Sequence, residues 1–160
     1  MTYKLSSALK NIEHLITTHT SVQTTSASAN TFITVSGSEI TYEPSADASK
    51  VIYEISFYCE KASGSPFTAA YLEHYTSGSW SEINARYRKN WGLGGSNSQT
   101  NRWPIYWRFV LPSWVGERNL RIRLGSHAAN RQINLHKITD WDGSSAIDKF
   151  CNTNLVVYSI

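Results

Sequence analysis

Cysteine, proline and long apolar runs are all scarce in this chain of 160 residues, and each scarcity excludes something. Two cysteines, Cys59 and Cys151, can form one bridge at most, which rules out a disulfide framework as the basis of the fold. No apolar run approaches the roughly 20 residues that a membrane-spanning helix requires. The opening stretch MTYKLSSALKNIEHLITT places a polar residue at nearly every second step, so it lacks the apolar core of a secretion signal. Both thiols are therefore expected to be free, in a protein synthesised in a reducing cytoplasm and not inserted in a membrane. Charged residues make up 17% of the chain and balance to +3 at neutral pH. That excess permits anionic partners without demanding nucleic acid.

Metal and nucleophile signatures are missing too. None of the five histidines (His14, His19, His74, His127 and His136) pairs with another at the helical spacing of a metalloprotease, and no CxxC occurs. His136 falls inside a strand pattern and is expected to be a structural or surface histidine. Gly92-Leu93-Gly94-Gly95 follows Lys89-Asn90-Trp91 with no Lys-Ser/Thr pair to close it, so it reads as a loop and not a phosphate cradle. Asp140-Trp141-Asp142-Gly143 starts like a calcium loop but has no glutamate at its far end. Two carboxylates capping a turn are the simpler account of Asp140 and Asp142. No serine stands in a GxSxG elbow. Carboxylate pairs such as Glu54/Glu60 or Asp140/Asp142 would serve a glycosidase only if they faced one another across a cleft. Nothing marks an enzyme, and no cofactor is expected.

What is present is mainly period-two alternation. Hydrophobic residues make up 41%, enough for one core in a chain of this length. From Thr31 onward the segments TFITV, EITYE, KVIYEISFYCEK, FTAAYLEHY, WSEINARYR, PIYWRFVL, RNLRIRLG, RQINLHKI and NLVVYSI are rich in β-branched and aromatic residues. Val51, Tyr53, Ile55, Phe57 and Cys59 share one face of their segment, as do Leu120, Ile122 and Leu124 of theirs, with Arg121 and Arg123 opposite. Ser77-Gly78 between two such runs is a hairpin turn. Short strands without an intervening helical period predict an all-β fold, an antiparallel β-sandwich of jelly-roll type. The stretches 89–101 and 139–150 are expected as long loops of functional or interface character.

Residues 1–30 differ from the rest. Leu5, Leu9, Ile12 and Ile16 are spaced 4, 3 and 4 apart, which predicts a short amphipathic helix over the first 16 residues. Such a helix docks either on its own domain or as an oligomer seam or anchor. TTHTSVQTTSAS (17–28) has eight Ser or Thr in twelve positions and reads as an extended linker. The chain thus divides into an arm, 1–30, and a sandwich domain, 31–160.

The second concentration is aromatic. Trp80, Trp91, Trp103, Trp107 and Trp114 interleave with Arg86, Arg88, Lys89, Arg102 and Arg108. Core and interface packing, stacking on sugar rings, and binding of single-stranded nucleic acid are three uses of such a set. The last is disfavoured because the arm carries only Lys4 and Lys10.

The run SGSEITYEPSADASKVIYEISFYCEK (36–61), with its Thr-Tyr-x-Pro turn and Lys-Val-Ile-Tyr-Glu strand, and the closing stretch from Ile133 (INLHKITDWDG, then a final strand) resemble small β-rich virion proteins of tailed phages, especially marine and cyanobacterial ones. The resemblance covers about residues 31–160. It implies a jelly-roll-like sandwich, often trimeric, on the surface of a virus particle at a fibre tip or on the capsid. The expectation is a capsid decoration, cement or head-fibre protein. Its expected partners are copies of itself and other virion proteins of capsid or tail. Leu5, Leu9, Ile12 and Ile16 would form the anchor, and Arg121, Arg123 and the tryptophans the interface or ligand candidates. The alternative is a receptor-binding knob that recognises host-surface glycan.

Overall fold

A computed structural model of the chain describes residues 10–64, 67–92, 102–141 and 146–160. It is all-β, and the pairings are antiparallel throughout the described residues. The first sheet is built around β5 (Lys50–Lys61), the twelve-residue strand with the cleanest alternation. One edge of β5 pairs along its length with β9 (Arg102–Pro112). The other edge is shared end to end by β14 (Thr153–Ser159) and β11 (Ile133–Leu135). Outside these lie β1 (Lys10–Thr17) on β14 and β2 (Gln23–Thr24) on β11.

The second sheet is centred on β10 (Arg118–Ser126) and β6 (Phe67–Thr76). β3 (Ile33–Thr34) and β4 (Ile40–Tyr42) share the outer edge of β10. β7 (Ser79–Glu82) and β8 (Lys89–Gly92) share that of β6. A separate ribbon pairs β12 (Lys137–Trp141) with β13 (Ala146–Phe150).

Alternation explains the core. Val51, Tyr53, Ile55, Phe57 and Cys59 from β5 meet Leu120, Ile122 and Leu124 from β10 in a single buried cluster, joined by Leu72, Phe109, Leu155 and Val157. Burying a side chain of this size stabilises by about 2 kcal/mol, so these strands dominate the fold. Cys59 behaves as a small hydrophobe, its thiol pushed up to about 12 by burial and by Glu60. Both cysteines are free. Ser77 and Gly78 both have positive φ (54° and 83°), the conformation that lets a two-residue turn follow the twist between β6 and β7.

Four expectations need correction. Lys10–Thr17 is a strand, not the helix expected from Ile12 and Ile16, while Leu5 and Leu9 lie outside the described residues. A spacing of four returns a side chain to one face in both periodicities, so that pair did not discriminate. The free edge of β14 then decided, taking Glu13 opposite Val157 through to Thr17 opposite Thr153. The Ser/Thr-rich stretch is pinned and not a free linker. Gln23 and Thr24 pair with β11, and buried Thr25 exchanges bonds with Ile133 through both main chain and hydroxyl. The two expected loops are in part strand: 139–150 is largely the β12–β13 ribbon, with 142–145 outside the described residues, and 89–101 opens with β8, with 93–101 outside them. WSEINARYR is broken after Glu82 by a single 3-10 turn, Ala85–Tyr87, capped by the Asn84 side chain.

Candidate functional site

The two sheets each end in an unpaired strand on the same side: β9 pairs only β5, and β8 pairs only β6, among the described residues. Prolines 104 and 112 in β9 suit an edge strand, since neither has an N–H to offer a further neighbour. Between these edges runs a groove of about 520 Å³. Its β9 wall carries Trp103 and Trp107, which share the inward face with buried Ile105 and Phe109 but are themselves only half-buried. Trp107 meets Phe57 edge to face at 5.4 Å. The opposite wall supplies Arg88, Lys89 and Asn90.

The charges here are partly committed. Glu82 takes Nε and Nη2 of Arg88 at 2.8 and 2.6 Å, and these bonds raise the guanidinium further above its ordinary value. The Arg88 guanidinium also lies 5.5 Å over Tyr71. Lys89 reaches across with its ammonium 5.2 Å from the Phe109 ring centre.

A different surface gathers the apolar side chains. The outer face of the first sheet exposes Ile12 (56%), Ile16 (53%), Val110 (46%) and Tyr106 (63%). Around its middle, Arg108 bridges Glu54 at 3.1 Å and donates to Tyr158 Oη at 3.3 Å. The register places Arg108 opposite Glu54 and Glu54 opposite Val156, so these side chains share that face.

The remaining sequence candidates are dispersed. Trp80 lies on the outer face of the second sheet, where the Arg121 guanidinium sits 3.8 Å from its ring centre. Arg121 also binds Glu73 at 2.8 Å, and Arg123 donates to the Phe32 carbonyl, so both arginines have intramolecular partners. Trp114 is buried, packed edge to face on Tyr42 with Arg118 over its ring. The side chains of Trp91 and of the calcium candidate Asp140, and all of Asp142, lie outside the described residues.

Glu54 and Glu60 stand six residues apart on one strand face, about 20 Å, well beyond the separation that two catalytic carboxylates need. Glu60 is instead buried under the ribbon, accepting from the Thr139 N–H at 3.0 Å and lying 3.5 Å from Lys137 Nζ.

Sequence reading missed one cluster. His136 is fully buried where β11 and β14 abut, its backbone at φ +65°. Its Nδ1 lies 3.0 Å from Thr153 Oγ1, its Nε2 lies 3.2 Å from Gln23 Oε1, and its ring stacks on His19 at 3.7 Å. Burial, reinforced by His19, lowers the His136 imidazole to about 3, so both histidines of the stack are neutral at pH 7. The signal was weak because His19 and His136 are 117 positions apart.

No protein-family model matches the chain, and no curated protein matches it.

Proposed function

We propose that this protein is a virion structural protein of a tailed phage. In this reading it is made in the host cytoplasm and displayed on the particle surface as a decoration, cement or head-fibre protein. It assembles as a homotrimer and contacts other virion proteins, and it carries no catalytic activity or cofactor.

The observation that carries this reading is the outer face of the first sheet. Ile12, Ile16, Val110 and Tyr106 present apolar surface around the small polar Glu54–Arg108–Tyr158 group. Large apolar side chains left exposed together on one sheet face mark an interaction surface, which in this reading is covered by another copy of the chain. The strand orders β1-β14-β5-β9 and β3/β4-β10-β6-β7/β8 support reading the two sheets as a jelly roll, in agreement with the sequence resemblance. Ile12 and Ile16 keep the seam role expected of them, but as part of a sheet face.

Light scattering of the full chain tests the proposal. A trimer mass, reduced to a monomer by the double change I12D/I16D with an unchanged far-UV spectrum, is the expected result. A monomer at every concentration overturns it. The groove between β8 and β9 favours the alternative, a receptor-binding knob recognising host-surface glycan, which a glycan array tests directly.

A further inference from the structure

The groove between β8 and β9 combines three kinds of side chain that recognise one class of ligand. Trp103 and Trp107 lie four residues apart on one face of β9, about 13 Å along the strand. That is the length of a short oligosaccharide, not of a single ring. Both indoles are half-buried, so their orientation is set by the core while part of each remains accessible. The negative faces of indoles attract the weakly positive C–H faces of pyranose rings. Asn90 at the rim adds an amide, which donates and accepts as sugar hydroxyls do.

The charge in the groove is of one sign. Among the described residues its lining contains Arg88 and Lys89 and no carboxylate. Arg88 is held in place by Glu82 through Nε and Nη2, and among the described residues Nη1 makes no hydrogen bond. Lys89 makes no ion pair among the described residues and is held only by its position over Phe109. A neutral sugar would leave that ammonium without a counter-charge, whereas a carboxylate supplies one. We infer that the groove binds an acidic oligosaccharide, with uronate or similar carboxylated rings stacked on Trp103 and Trp107 and a carboxylate set against Lys89. This deepens the glycan reading of the protein and does not depend on trimer formation.

A single-stranded nucleic acid shares the aromatic and cationic requirements, but its backbone needs a cationic track along the whole groove. Among the described residues the groove offers two cations, one of them already paired.

Titration of the full chain with tetragalacturonate, cellotetraose and a short oligothymidylate, followed by tryptophan fluorescence and saturation-transfer NMR, tests the inference. Saturable binding of the uronate is expected, tighter than that of the neutral tetrasaccharide and weakened by salt. W103A is expected to lower the affinity about tenfold, the loss of roughly one stacking contact. K89Q, at a partly exposed position with no ion pair or side-chain hydrogen bond among the described residues, keeps the fold and is expected to remove the preference for the charged sugar. Binding of cellotetraose equal to or tighter than that of the uronate overturns the acidic inference and leaves the glycan reading standing. Absence of binding by either saccharide at millimolar concentration overturns both, and tighter binding of the oligothymidylate assigns the groove to nucleic acid instead.

Discussion

The outer faces of the two sheets use similar residues to opposite ends. On the second sheet, Arg121 bridges Glu73 and covers Trp80, which in turn meets Tyr75 at 5.5 Å. Arg88 bridges Glu82 and covers Tyr71, and Tyr71 meets Phe32 at 5.0 Å. Glu73 and Glu82 stand directly opposite one another, and each is offset by its own arginine. On the first sheet the Arg108–Glu54 ion pair sits among exposed Ile12, Ile16, Val110 and Tyr106. Aromatic and cationic residues close together in sequence can therefore complete a surface or leave it open. The difference lies in whether the cross-strand neighbour supplies the counterpart.

The largest expected effect separates the first sheet from the second through acid. The first sheet has the buried His136 at the junction of two strands, and the described part of the second has no counterpart. The imidazole is lowered in the folded state, so the unfolded chain binds more protons below the ordinary histidine range. Its stabilising contribution is complete above about pH 6.5 and is lost as pH falls toward 3. Between pH 7 and pH 4 this one group removes about 3 kcal/mol. Denaturant unfolding of the protein against H136Q, at matched pH values, isolates it, because the other titrating groups are shared. An identical pH slope in the two proteins would show that His136 opens to water before it titrates.

Next in size is Gly37, which packs against the same junction. Its φ is +79°, and an added Cβ would come within 2.9 Å of Thr17 and Thr153. Gly37→Ala is expected to cost about 2 kcal/mol, read as a lower denaturation midpoint. Arg121→Ala should cost about 1.5 kcal/mol, since it strands a mostly buried Glu73 and uncovers Trp80. A double-mutant cycle with Glu73→Ala measures the shared part, and a coupling near zero would place this face with ordinary surface ion pairs. The smallest effect belongs to the open face. Ile16→Ser should change the stability of the isolated chain by less than about 0.5 kcal/mol, while weakening assembly in light scattering. A large loss of stability without a change of mass would make that face structural, and the contrast between the two sheets would disappear.

Legibility followed the range of the interactions. The alternation in 51–59 and 120–124 named the residues that are fully buried, because period two places every second side chain in one environment. The Ser77–Gly78 turn was legible for the same reason, since its conformation is a property of two adjacent residues. The candidate site was only half legible. The excess of tryptophan and arginine was plain, but which of them meet a groove, a core or a carboxylate depends on cross-strand register. That register sent Trp103 and Trp107 to an edge and Arg121 to Glu73, while the turn after β9 folded Trp114 into the core.

The sequence by itself determined that this chain is all-β beyond its first thirty residues, and which side chains form the central faces of β5 and β10. It did so because alternation is a local property. Only the tertiary structure decided that Lys10–Thr17 is a strand, that Thr25 is buried and that His19 stacks on His136. Each of these depends on an edge or a hydrogen-bonding group supplied by residues more than a hundred positions away, and such long-range partners leave no trace in local periodicity.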